Sequence, residues 1–117
     1  MKLYEGHRGG ATGPPYVRVV TGHEIRPLLP GPSQKLCNHS PDGFQWGYRG
    51  SGPAQLALAL LLDVTGNEDK ALRYHQDFKE DFVAGWGRDW SVTELEITRW
   101  LNTTRAEYVR LKAGENL

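Results

Sequence analysis

Residues 38–56 read Asn-His-Ser-Pro-Asp-Gly-Phe-Gln-Trp-Gly-Tyr-Arg-Gly-Ser-Gly-Pro-Ala-Gln-Leu and hold most of the side chains here that could do chemistry. Gly50-Ser51-Gly52-Pro53 delivers the backbone into a helix, since proline suits the first helical position and Ser51 or Gly52 is placed to cap it. Amides without partners at a helix start attract anions, and Arg49 stands beside them. Phe44, Trp46 and Tyr48 alternate with Gln45, Gly47 and Arg49, so an extended backbone would place three rings on one face. Gln55 falls in the first helical turn among apolar neighbours, where an unpaired buried amide would cost about 1–3 kcal/mol. Either the protein or a ligand must satisfy it. With Arg8 as a second guanidinium and Trp46 or Tyr48 as a stacking surface, His39, Ser40, Arg49, Ser51, Gly52 and Gln55 suit a phosphate carried by a base-like ring. The plainer reading is that the rings cover the helix and that His39 and Ser40 cap a turn, the commoner fate of an aromatic strand face.

Catalysis and metal chemistry find less support. Gly50-Ser51-Gly52 lacks the Gly-x-Ser-x-Gly spacing of a nucleophile elbow, and only Asp42 lies near His39 to orient it as a base for Ser51 or Cys37. Cys37 and His39 are two residues apart with no second ligand pair, and His7, His23 and His75 are scattered. No catalytic residue, metal or cofactor is therefore expected. Asp77, Glu80 and Asp81 beside Phe78 and Phe82 could face a basic protein, but read first as the solvated side of an amphipathic helix. Trp86 and Trp90 read as seats for an interhelical loop.

The elements that must position these residues divide near residue 50. The chain has 117 residues, one domain's worth, and its 14 Lys plus Arg balance its 14 Asp plus Glu. This leaves no general field for nucleic acid or an anionic membrane. Residues 1–50 carry six basic and three acidic side chains and read as a β-rich half. Strands are expected at Leu3 to Gly6, Tyr16 to Thr21 and Glu24 to Leu28, the last two a hairpin turning at Gly22-His23, with loops from Gly9 to Pro15 and Leu29 to Lys35. Residues 51–104 read as helical. Pro53 to Val64 is apolar all round and should be the buried centre. Asn67 caps a second helix with Ala71, His75, Phe78 and Phe82 inward, ending at Gly85. Ser91-Val92-Thr93-Glu94 reads as a capping box opening a third, with residues 105–117 an extension or a tail. The expected fold is α+β, a small N-terminal antiparallel sheet packed on three C-terminal helices.

Cys37 alone cannot form an intramolecular disulfide, and the first residues lack the apolar run of a secretory signal, which points to a reducing, cytoplasmic setting. The longest apolar stretch is too short to cross a bilayer, so no membrane association is expected. Four Trp in so small a domain leave apolar surface to spare and allow a homo-oligomer.

Residues 38–61 resemble the signature N-H-S-P-x-G-F-x-W-G-Y-x-G-S-G-P-A-Q-L-A-L-A-L-L of an uncharacterised family of small proteins from phages, prophages, plasmids and other mobile elements. The resemblance extends to Tyr4-Glu5-Gly6-His7-Arg8, to Phe78-Lys79 and to Asp89-Trp90, and it departs from the pattern in a longer segment from Leu28 to Leu36. It adds Tyr4 to the candidate ligand-binding residues and implies a host-cell setting, with no established activity. The leading expectation is a non-catalytic accessory protein that binds a phosphate-bearing small molecule and sequesters a nucleotide signal of host defence. The alternatives are a counter-defence inhibitor that binds a host defence protein, and local nucleic-acid binding by the basic half.

Overall fold

The structure is a computed structural model; it describes residues 1–8 and 15–115, with side chains of the last helix to residue 104. The expected loop at residues 9–14 lies outside the described residues. Three strands form a meander: β1 (Lys2–His7), β2 (Tyr16–Thr21) and β3 (Glu24–Pro27). Gly22 supplies the positive φ, 60°, that the tight β2–β3 turn needs. A fourth strand, β4 (Asp89–Thr93), pairs antiparallel with β1, giving the order β3-β2-β1-β4. Alternation follows from the pleat. Tyr4, Gly6, Val17, Val19, Trp90 and Val92 turn to the core, while the facing positions of β1, β2 and β4 stay at least partly exposed.

Among the described residues, four α-helices complete the α+β fold. α1 (Gly31–Leu36) is short, α2 (Ser51–Thr65) is buried without interruption from Gly52 to Leu61, and α3 (Glu68–Asp81) buries Ala71, Tyr74, His75 and Phe78. α4 runs Glu94–Glu115. The expected cap at Asn67 is present, its side chain accepting from Lys70 N–H at 3.0 Å, with Glu68 and Asp69 in the first turn.

Several expectations need correction. Residues 44–48 form no strand: Gly43 and Gly47 take φ of 108° and 86°, which breaks an extended run, and Gly47 N–H donates to Val83 C=O at 3.0 Å. The three rings consequently part company, Trp46 fully buried and Tyr48 half exposed. Leu29 to Lys35 is not all loop, since α1 begins there with a proline in its first turn. α2 starts at Ser51 behind Gly50, so neither Ser51 nor Gly52 is its cap. α3 ends at Asp81, and Gly85 instead closes a one-turn 3-10 helix, Val83–Gly85. The capping box opening α4 is Thr93 to Glu96: Thr93 N–H donates to Glu96 Oε1 at 3.2 Å, and Glu96 N–H donates to Thr93 Oγ1 at 3.0 Å. Ser91, expected to cap, lies inside β4 because β1 offers it a partner strand.

Candidate functional site

The ten candidate residues fall into four separate settings. Gln55 is fully buried in the first turn of α2, and protein atoms satisfy all of it. Its Oε1 accepts from His39 N–H at 2.7 Å and Ser40 N–H at 3.0 Å, and its Nε2 donates to Ser33 Oγ at 2.8 Å and Cys37 C=O at 3.1 Å. One side chain thereby joins α1, the following loop and α2. His39 meets a residue that sequence spacing did not connect to it: the two Nε2 atoms of His39 and His75 stand 2.9 Å apart. His75 Nδ1–H donates to Leu72 C=O at 2.7 Å, which leaves its Nε2 as acceptor and makes His39 Nε2 the donor. The contact is a single hydrogen bond between two rings. Among the described residues no group of three or more His, Cys, Asp or Glu is arranged to hold a metal.

Burial pushes His75 below the ordinary histidine range, with His39 and Lys79 adding to the effect and carbonyl bonds opposing it. The unfolded chain therefore binds a proton at this residue more readily than the folded one. The stability tied to a neutral His75 is present above the unfolded value of about 6.5 and is lost as pH falls through the lower folded value. The urea midpoint is expected to drop between neutral pH and pH near 5, and His75→Gln to flatten that slope; an equal slope in the variant would refute the assignment.

Arg8 and Trp46 form the second setting. The Arg8 guanidinium lies over the Trp46 ring, 5.2 Å from its centre, and donates to Trp46 C=O. Trp46 Nε1–H donates to Gly87 C=O at 2.8 Å, and its ring meets Trp90 edge-on with centres 5.8 Å apart. This ring is core, with no face left for a base to stack on. In the third setting Arg49 Nε pairs with Glu80 Oε2 at 2.7 Å on the surface, beside exposed Tyr48 and Ser51. Gly52 is buried against Gln45, where a Cβ would come within 2.6 Å. Arg8, His39, Arg49 and Gln55 do not converge: one guanidinium is turned to a carbonyl, the other to a carboxylate, and the amide is consumed.

Tyr4, the remaining candidate, leads to a different place. Its hydroxyl donates to Asp63 Oδ2 at 2.6 Å, Lys2 Nζ meets the same oxygen at 3.3 Å, and Arg26 Nη2 donates to Oδ1 at 2.8 Å. Burial, then the bond to Asp63, raises the Tyr4 phenol far above its ordinary value, so it remains a donor. Burial alone would raise Asp63 too, but the bonds from Tyr4 and Arg26 and the charges of Lys2 and Arg26 outweigh it and hold the carboxyl below its usual range. Arg26 and Asp63 stand at the lip of a cavity of about 350 Å³ between β3, α1 and α2. Its walls are Pro27, Leu28, Leu29 and Pro32, with Ala59 and Leu62 of α2 beneath and Ser33 at one side. The volume lies at the small end of the roughly 300–1,000 Å³ typical of ligand pockets.

Sequence reading missed Lys2, Arg26 and Asp63. One signal was available: Asp63 is the single charged residue in α2, and a carboxylate on a buried helix requires partners. The segment from Leu28 to Leu36 supplies α1 and much of the cavity wall. No helix among the described residues is long and apolar enough to cross a membrane.

Comparison with known proteins finds no match among curated proteins and none among solved structures. A family model does match over residues 4–103, a span that takes in the whole sheet from Tyr4 onward, the cavity, and α1 to α3. The chain belongs to DUF6166, a family of unknown function.

Proposed function

We propose that the chain is a non-catalytic binding protein whose ligand is a small phosphate-bearing molecule held in the cavity between β3, α1 and α2. The observation that carries this reading is an apolar slot with one half-exposed guanidinium at its mouth. Arg26 spends Nη2 on Asp63, and its remaining N–H groups are donors in the fork geometry that matches phosphate. Asp63 already accepts from three donors, so the polar function offered to a ligand is Arg26. The slot is sized for one ring system rather than two, which favours a mononucleotide over a dinucleotide. The phage or mobile-element setting implied by the resemblance makes a nucleotide signal of host defence the first class to examine.

A host defence protein adding a strand beside the cavity fits less well. Leu28 N–H donates to Val17 C=O at 2.9 Å, continuing the β2–β3 register by one pair, so alternation leaves Ile25 and Pro27 facing the free edge of β3. Pro27 has no N–H to give, and that edge is blunt.

Calorimetry with inorganic phosphate and a panel of linear and cyclic mononucleotides tests the proposal. Saturable binding is expected, weakened about ten- to hundredfold in Arg26→Ala, since hydrogen bonds to charged groups contribute about 1.5–3 kcal/mol. Arg49→Ala should leave it unchanged. No binding across the panel, or loss in Arg49→Ala with Arg26→Ala intact, would overturn the reading; the second outcome would return the site to the start of α2.

A further inference from the structure

We infer that β4 is the seam of a homodimer, two copies joining their sheets edge to edge about a two-fold axis through Ser91. Among the described residues, the strand order leaves β3 and β4 as the sheet's edges. Arg8 N–H donates to Arg88 C=O at 3.3 Å, one pair beyond His7↔Asp89 in the β1–β4 register. Bonded and unbonded pairs alternate in an antiparallel ladder, so Gly6↔Trp90 and Tyr4↔Val92 exchange main-chain bonds while His7↔Asp89, Glu5↔Ser91 and Leu3↔Thr93 do not. The N–H and C=O groups of Asp89, Ser91 and Thr93 therefore point off the free edge. Thr93 N–H is taken up by Glu96, which leaves the others as a row spaced to receive a strand. The two edges are built differently. β3 ends in a proline, whereas β4 contains no proline and no lysine, and its Asp89 and Ser91 are exposed.

The row is complementary to itself. An antiparallel copy centred on Ser91 sets Ser91 opposite Ser91 and Asp89 opposite Thr93, so no like charges of the strand face each other. Ser91 N–H and C=O exchange with their counterparts, and on either side Asp89 N–H donates to the C=O of Thr93. The one donor this register does not use at its ends is Thr93 N–H, which the capping box already occupies. Beneath the seam Trp90 of each copy falls next to Val92 of the other, extending an apolar face that is already core. The contact is isologous and closes after two copies, giving a continuous eight-stranded sheet. Because the ligand cavity lies under the opposite edge, at β3, this inference stands independently of the binding proposal.

Sedimentation equilibrium of the full chain, from millimolar to sub-micromolar concentration, tests it. A monomer–dimer equilibrium is expected for the wild type. Ser91→Pro, which deletes the central outward N–H, and Ser91→Lys, which sets two ammonium groups across the axis, should each weaken dimerisation at least tenfold with the circular dichroism spectrum unchanged. Should the proline variant fail to fold, Ser91→Lys carries the test, because the side chain it replaces is exposed. In a Cys37→Ser background, Ser91→Cys should form a covalent dimer on oxidation, since bonded antiparallel pairs place Cα atoms about 5.5 Å apart. A wild type monomeric throughout, or a dimer untouched by both Ser91→Pro and Ser91→Lys, would overturn the inference.

Discussion

Gln55→Met is expected to remove about 2–3 kcal/mol of unfolding free energy although it preserves side-chain length and adds apolar surface. Each buried polar group left unpaired costs about 1–3 kcal/mol, and the substitution strips Ser40 N–H of its partner outright. Three others lose less. His39 N–H and Cys37 C=O keep a poorer contact with each other at 3.2 Å, and Ser33 Oγ–H keeps Pro30 C=O at 2.8 Å. Marginal domains have about 5–15 kcal/mol in total, so the loss is a large share of the whole. Urea unfolding measures it, and amide hydrogen exchange locates it: protection at Ser40 should collapse while protection in α3 falls only by the global amount. A cost below about 1 kcal/mol would show that water replaces the amide, and that the clamp contributes little.

Trp46→Ala should be at least as costly, about 3–5 kcal/mol, the range for deleting a buried indole. Trp46 is fully buried and holds three things together. It meets Trp90 edge-on, Trp90 in turn stacks on Trp86 at 4.0 Å, and the Arg8 guanidinium lies over the Trp46 ring. Trp46→Phe separates packing from hydrogen bonding: it retains much of the ring but loses the bond to Gly87 C=O. An intermediate loss is expected for Phe, of about 1–2 kcal/mol beyond the lost volume, because Gly87 C=O can turn to solvent. If Trp46→Ala unfolded at the wild-type midpoint, the ring would not belong to the cooperative core.

The local signals that predicted structure well were those that neighbouring residues decide. Asn67 followed by Glu68 and Asp69 fixes a helix start whatever surrounds it, and the β-branched run at Tyr16–Thr21 with Gly22 behind it fixes a hairpin. The apolar run of α2 announced its own burial, and the demand of Gln55 for partners could be read from the residue type alone. What escaped depends on distant chain. Ser91-Val92-Thr93-Glu94 and Thr93-Glu94-Leu95-Glu96 are both acceptable capping boxes, and only the pairing of residues 89–93 with β1 decides between them. The alternation of Phe44, Trp46 and Tyr48 looked like a strand because period two carries no record of Gly47 turning left-handed to reach Val83. The cavity was hidden for the same reason: Arg26, Ser33 and Asp63 come from three elements and share no spacing. Of the ten candidate residues, Tyr4 alone led to it, through its bond to Asp63.

The placement of β1 between β2 and β4 also governs how this polypeptide is made. A ribosome delivers Lys2–His7 some eighty residues ahead of Asp89–Thr93, so one flank of β1 waits uncovered while the intervening chain is made. Closing so wide a span is entropically slow compared with forming the local hairpin. A product that stops before residue 89 would display that naked flank permanently, and early termination should yield insoluble material rather than a smaller working version.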